Sequence, residues 1–142
     1  TSRLSSAASD VYKRQLQDWG EGASCANGGK GTNAQTGDAT WLHTFFDSAT
    51  WDDAGGDRAR PASARENVDV LGIYTWSSNR MIKDVQSWVE QPETNFGWLL
   101  IGDERNLRTV VAFASRESLN CNSGLPTRWP TPMLEVTYSV AE

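Results

Sequence analysis

Residues 133–140, MLEVTYSV, show a strict alternation that indicates the fold class of this chain. Every second residue from Leu134 to Val140 is large and apolar, and most of the residues between them are polar. Successive side chains of a β-strand point to opposite faces, so the pattern predicts a strand with one buried face. Further segments of strand length and composition lie at residues 40–46, 62–69, 71–76, 97–102 and 109–115. The first of these also suits a packed loop.

One segment has a helical period instead. Within residues 79–90 the apolar side chains recur at spacings of three and four, which places them on one stripe of a helix. Ser77 or Ser78 can cap the start of this helix, and Pro92 ends it. We therefore expect a mostly β chain, folded as a jelly-roll-like antiparallel β-sandwich with one short crossover helix at about residues 79–90.

The composition argues against several classes of function. The chain has 142 residues and a formal net charge of −5. An acidic chain lacks the positive surface that attracts nucleic acids and anionic membranes, and no apolar run approaches the length of a membrane span. We therefore expect no nucleic-acid partner and no membrane insertion. Seven tryptophans in so short a chain indicate an aromatic core, a surface for stacking sugar rings, or both.

Residues 1–15 resemble translated sequencing-adapter DNA. The ending DVYKRQ at residues 10–15 is encoded by GAT GTG TAT AAG AGA CAG, a string that resembles the mosaic end of transposon-based sequencing libraries. We expect residues 1–15 to be an artefact, disordered or non-native, and residues 16–142 to be a partial, N-terminally truncated β-sandwich domain from a metagenomic fragment. The alternative is a genuine polar N-terminal helix.

A series of short motifs runs through the rest of the chain in a recognisable order. The motifs are DWGEG at 18–22, GDATW at 37–41, WDDAGGD at 51–57, YTW at 74–76, DVQSW at 84–88, NFGWLL at 95–100, FASRE at 113–117 and PMLEVTY at 132–138. Together they resemble the DNRLRE-domain proteins, which are related to carbohydrate-binding module family 96. No single motif is specific, and the resemblance depends on the whole set in this order.

The resemblance implies a jelly-roll-like sandwich that is secreted or cell-surface and is often one module of a long bacterial protein. Some relatives bind acidic polysaccharides such as alginate. The chain departs from the family pattern in two places. Family members carry further strands before DWGEG, where this chain has the adapter-like residues, and an aromatic residue often follows the GGD, where this chain has Arg58.

Aromatic and basic residues are the candidates for ligand binding. A pyranose ring has an apolar face that stacks on flat aromatic side chains. Tryptophans in loop-like segments are the candidate platforms: Trp19, Trp41, Trp51 and Trp129. Trp76, Trp88 and Trp98 lie in a helix or strands and are expected in the core. An acidic sugar also requires guanidinium or ammonium groups. The candidates are Arg105 and Arg116, followed by Arg65, Arg80 and Arg108, with ion pairing between strands as the alternative.

Two further sets of residues can stabilise the domain. Asp47, Asp52, Asp53 and Asp57 form an acidic loop that can hold a structural Ca²⁺ ion, although their spacing matches no known calcium loop. The alternative is a solvated turn in which Asp57 caps backbone N–H groups. The two cysteines, Cys25 and Cys121, both lie in loops and can form a disulfide in an oxidising compartment.

Little in the sequence supports catalysis. His43 is the only histidine, no G-x-S-x-G motif is present, and nothing fixes the separation of a carboxylate pair that includes Glu21. We expect no enzymatic activity and no cofactor beyond the possible calcium ion. The expected function is that of a non-catalytic extracellular carbohydrate-binding-type module, partnered by polysaccharide and by other domains of its polypeptide. The alternatives are a structural spacer or adhesion domain without a small ligand, and a polysaccharide lyase or hydrolase.

Overall fold

The computed structural model describes residues 8–25, 31–102, 111–116 and 131–140. The chain divides into two compact units. The first comprises Thr1–Ala23 with Ala34–Val111, and the second comprises Ser24–Asn33 with Ala112–Glu142. The α-helix and the strands of the described residues lie in the first unit. Within the described residues, no helix has the length and apolar character needed to cross a membrane.

The main sheet of the first unit has three antiparallel strands. Strand β1 (Ala8–Arg14) lies in the middle, between β4 (Ala64–Val68) and β5 (Trp98–Ile101). In the register of the sheet, Tyr12 lies opposite Ala64 on one side and Leu100 on the other. The strands at β4 and β5 confirm two of the strand segments predicted from the sequence.

The position of β1 corrects the expectation for the N-terminal segment. Residues 1–15 were expected to be disordered or non-native, whereas residues 8–14 form the central strand and Gln15 forms a further bridge with Arg58. The physical reason is that any extended segment offers backbone N–H and C=O groups to two neighbouring strands, whatever the origin of its sequence. The predicted domain boundary at residue 16 stays a prediction. The adapter origin of these residues stays a prediction.

A second, smaller sheet is a two-stranded hairpin. Strand β2 (His43–Phe45) pairs with β3 (Ala49–Thr50), and His43 lies opposite Thr50. Asp47 lies in the tight turn between them and has a φ of 70°, in the left-handed region that Asp tolerates better than most residues. Residues 43–45 are thus the strand within the aromatic segment 40–46.

The predicted helix is confirmed. Helix α1 spans Asn79–Glu90, and Ser78 is its N-cap, with its hydroxyl accepting from the backbone N–H groups of Arg80 and Met81. A short 3₁₀ helix, Pro92–Thr94, follows directly, as expected where a proline lacks the N–H that would continue the α-helix. The described residues thus contain one α-helix and several short strands, while the full sandwich stays a prediction.

Three predicted strands form no strand in the residues that the structure describes. Residues 71–76 carry no strand pairing, and neither do residues 111–115, the described part of the predicted strand 109–115, or residues 133–140. In the first, the Tyr74 hydroxyl accepts from the Val70 N–H and donates to the Val70 carbonyl, which closes a loop instead. In the last, the apolar residues are exposed, with Tyr138 at 80%. A strand needs a neighbour to satisfy its backbone groups, and alternation alone does not supply one.

Aromatic side chains dominate the core beside the main sheet. The Trp88 and Trp98 ring centroids are 4.5 Å apart, and Tyr12 makes edge contacts with Trp76 at 5.0 Å and with Trp98 at 6.4 Å. Trp88 is buried, while Trp76 and Trp98 are half-buried. Burial in this cluster raises the pKa of the Tyr12 hydroxyl. The core role predicted for these three tryptophans is consistent with these contacts.

Candidate binding site

The candidate tryptophan platforms differ sharply in their surroundings. Trp51 is buried and its indole Nε1–H donates to the Thr40 carbonyl at 2.9 Å. Trp19 is half-buried, and its Nε1–H donates to the Phe96 carbonyl at 2.8 Å. Trp41 is 65% exposed. Of these three, only Trp41 presents a ring to solvent, so Trp19 and Trp51 are better explained as residues that pin loops.

The structure describes only some of the other predicted ligand residues. Trp129, Arg105 and Arg108 lie outside the described residues. Arg116 is exposed and belongs to the second unit. Arg65 is exposed on β4. Arg80 lines a cleft in the first unit.

The four candidate calcium ligands do not gather into a metal site. Within the described residues, no group of three or more Asp, Glu, His or Cys side chains has an arrangement that suits a metal ion. Asp57 directs its carboxylate at backbone N–H groups, accepting from Asp53 at 2.7 Å and from Asp52 at 3.0 Å. Asp47 lies in the β2–β3 turn. This arrangement matches the alternative of a turn capped by Asp57.

Asp57 is the centre of the turn at residues 52–57, which we call the acidic turn. The side chain is only 9% exposed, and it also accepts a hydrogen bond from the Gln17 amide. Burial acts to raise the pKa of Asp57, but the hydrogen bonds from Asp53, Asp52 and Gln17, together with the charge of Arg58, outweigh it and lower the pKa below its usual value. The charged form of Asp57 is therefore part of the folded structure.

A second buried aspartate has the same role, and the sequence analysis did not single it out. Asp38 accepts hydrogen bonds from the backbone N–H of Ala23 at 2.9 Å and of Gln35 at 2.7 Å. A Cβ added at Gly22 would lie 2.2 Å from the Asp38 carboxylate, so only glycine permits this approach. The signal in the sequence was an aspartate directly after a Gly-rich loop, a common arrangement for turn capping.

His43 and Cys25 are both engaged in local structure. The His43 ring Nδ1 lies 3.0 Å from the Thr40 hydroxyl, which also accepts from the His43 backbone N–H. The ring packs edge-on against Phe46 at 5.2 Å. Cys25 is not a free thiol. Its predicted partner Cys121 lies outside the described residues, so the pairing stays a prediction.

A cleft of about 640 Å³ opens in the first unit between the end of β1, the segment before β4 and the first turns of α1. Four cationic side chains line it, and we call it the basic cleft. The cations are Arg14, Arg60, Arg80 and Lys83. The remaining lining residues are Ala59, Pro61, Ser63, Ser78, Asn79 and Asp84.

Hydrogen bonds centred on Ser63 hold the walls of the basic cleft together. The Ser63 N–H donates to the Tyr12 carbonyl of β1 at 2.7 Å, and its carbonyl accepts from the Ser78 hydroxyl at the start of α1. The Ser63 hydroxyl donates to Asp84 of α1 at 2.5 Å, and Asp84 also accepts from the Trp98 Nε1–H of β5 at 2.8 Å. One buried serine therefore joins β1 to the helix.

The cations of the basic cleft have no charge-neutralising partner among the described residues. Within the described residues, the side chains of the four cations form no hydrogen bond or ion pair. The one carboxylate on the lining, Asp84, is bonded to Ser63 and Trp98. Arg80 and Lys83 are three residues apart on α1 and so share a helix face. The arrangement concentrates positive charge in a chain whose formal net charge is −5, and guanidinium groups there can bind carboxylates in bidentate fashion.

Sequence reasoning found only part of this site. Arg80 was a candidate for binding an acidic sugar, whereas Arg60, Lys83 and Arg14 were not. These residues come from three separate elements, and no short motif joins them. The signal for this site in the sequence was the pair Arg80 and Lys83, which are three residues apart near the start of α1. Comparison with protein-family models, with curated proteins and with solved structures found no match to this chain.

Proposed function

We propose that this chain is a non-catalytic carbohydrate-binding-type module of a larger secreted or cell-surface bacterial protein, with a jelly-roll-like β-sandwich fold. We further propose that it binds an acidic polysaccharide in the basic cleft. The observation that carries the proposal is the group of four cations around one cleft, whose side chains form no hydrogen bond or ion pair within the described residues. Because Arg14 lies in the adapter-like segment, the proposal depends on Arg60, Arg80 and Lys83.

The chemistry of the cleft favours a polymer of uronic acids over an uncharged sugar. Each uronate residue carries one carboxylate, so an extended chain offers a row of negative charges to cations that lie on different elements. The neighbouring hydroxyls of Ser63 and Ser78 are already used within the protein, which leaves charge as the main means of recognition. Binding of this kind weakens as salt increases, because exposed charges are screened.

The spacer or adhesion alternative predicts that all tryptophans are buried. Trp41 is 65% exposed, which counts against that form of the alternative. The lyase or hydrolase alternative requires a free general base. The hydrogen bond between His43 and Thr40 favours a structural role for the histidine. Neither alternative explains why basic residues from three elements line one cleft.

Affinity electrophoresis in gels that contain alginate tests the proposal. We expect alginate to slow the wild-type chain, and we expect this retardation to fade with added salt. The triple variant Arg60→Ala, Arg80→Ala and Lys83→Ala should migrate as it does without alginate. In a gel that contains an uncharged polysaccharide, the difference in mobility between the wild type and the triple variant should be the same as in a gel without polysaccharide.

Arg65→Ala is the matched control, since Arg65 is an exposed arginine on β4 outside the cleft. Compared with Arg80→Ala, it removes the same charge from the same unit of the chain. We expect Arg65→Ala to retain the retardation and Arg80→Ala to lose most of it. Equal losses in the two variants would mean that alginate responds only to net charge, and the proposed site would be wrong.

A further inference from the structure

Trp41 is hydrogen-bonded through its backbone to the acidic turn, although most of the residue is exposed. The Gly55 N–H donates to the Trp41 carbonyl at 2.7 Å, and the Trp51 N–H donates to the carbonyl of the next residue, Leu42, at 3.2 Å. Gly55 has a φ of 86°, and a Cβ added there would lie 2.6 Å from the Trp41 Cη2 atom. The indole ring therefore rests against the backbone of the acidic turn, while 65% of the residue stays exposed.

Polar groups able to bind hydroxyls lie on the same turn. Asp52 and Asp53 donate their backbone N–H groups to Asp57, and their exposed carboxylates make no hydrogen bond within the described residues. Within the same part of the chain, the Trp41 Nε1–H is also without a partner. We call this set, Trp41 with Gly55 and the carboxylates of Asp52 and Asp53, the Trp41 platform.

We propose that the Trp41 platform is a second sugar-binding site, which stacks the apolar face of an uncharged pyranose. A sugar ring has an apolar face for the indole and a rim of hydroxyls that can donate to the carboxylates of Asp52 and Asp53. The two carboxylates repel a uronate, so the ligand class differs from that of the basic cleft. This site does not depend on the cleft, and either proposal can fail without the other.

Calorimetric titration of the full chain with cellohexaose and xylohexaose, two uncharged oligosaccharides, tests the platform. We expect the wild type to bind at least one of them and Trp41→Ala to bind it roughly tenfold more weakly, as expected for the loss of one aromatic stacking contact. Trp41→Phe, which keeps a smaller flat ring, should fall between the two. Binding by neither oligosaccharide would overturn the proposal.

Leu42→Ala is the control for the loss of exposed apolar surface. Leu42 is 57% exposed beside Trp41 but has no flat face to stack on. The Leu42→Ala variant should bind the oligosaccharide as the wild type does. An equal loss of affinity in Leu42→Ala and Trp41→Ala would contradict stacking on the Trp41 ring. A wild-type measurement removes any dependence on variant folding: the NMR signal of the Trp41 indole N–H should shift with added oligosaccharide, and an unmoved signal would exclude the site. The triple cleft variant should retain this binding.

Discussion

The acidic turn and the basic cleft both collect charged residues, but they differ in what those charges contact. In the turn, the Asp57 carboxylate accepts from two backbone N–H groups and an amide, and the residue is nearly buried. In the cleft, the four cations make no hydrogen bond or ion pair within the described residues. A charge whose partners are inside the protein stabilises the fold, whereas a charge without such partners is available to a ligand. The comparison therefore separates structural charges from candidate binding charges.

Asp57→Ala should have the largest effect on stability. The change leaves the N–H groups of Asp52 and Asp53 and the Gln17 amide without their acceptor, so we expect a loss of about 2–4 kcal/mol in the free energy of unfolding. Urea denaturation measures it. Asp52→Ala removes an exposed carboxylate from the same turn and should change stability by no more than about 0.5 kcal/mol. Equal losses in the free energy of unfolding for the two variants would contradict the structural role of the Asp57 carboxylate.

Ser78→Ala should have the next largest effect. The Ser78 hydroxyl caps α1 by accepting from Arg80 and Met81, and it donates to the Ser63 carbonyl. We expect a loss of about 1–2 kcal/mol in the free energy of unfolding, again from urea denaturation. Ser77→Ala, at an exposed neighbouring serine, is the control and should be close to neutral. This result would show that the neutral residues of the cleft support its walls.

Acid should weaken the turn through the same carboxylate. The pKa of Asp57 is lower in the folded chain than its usual value of 3.8, so its contribution is fully present above the unfolded pKa. That contribution is lost as the pH falls below about 4 and through the folded pKa. We expect the wild-type free energy of unfolding to fall more steeply over this range than that of Asp57→Asn. Parallel curves for the two proteins would contradict the assignment.

Lys83→Ala should have the smallest effect on stability. Since Lys83 has no partner within the described residues, we expect a change of no more than about 0.5 kcal/mol in the free energy of unfolding. Arg80→Ala should behave in the same way. A loss as large as that of Ser78→Ala would mean that the cleft cations are structural, and they would then belong with Asp57 in the comparison.

Helix α1 and residues 133–140 show which parts of the fold could be predicted from the sequence. Helix α1 was predicted with its end and with Ser78 as one of two candidate caps. A helix forms its hydrogen bonds within one segment, so the apolar stripe, Ser78 and Pro92 all lie close together in the sequence. Residues 133–140 have an equally clear strand pattern but no strand pairing. A strand's partner lies elsewhere in the chain, and its own residues do not specify that partner.

The same distinction applies to the two charged regions. The acidic turn is contiguous in sequence, and the alternative of an Asp57 cap could be read from the motif WDDAGGD at residues 51–57. The basic cleft is assembled from β1, the segment before β4 and α1, so only Arg80 was identified. Contacts between residues that are far apart in the chain decide which cations share a cleft. Such contacts cannot be read from the local sequence pattern.

The position of bound alginate on the protein tests the central claim most directly. NMR titration of the isotope-labelled chain with alginate oligomers follows every backbone amide at once. We predict that the signals of Arg60, Ser63, Arg80 and Lys83 shift together and that those of the acidic turn stay in place. Shifts confined to other surfaces, or no shifts at low salt, would contradict a polysaccharide site in the basic cleft.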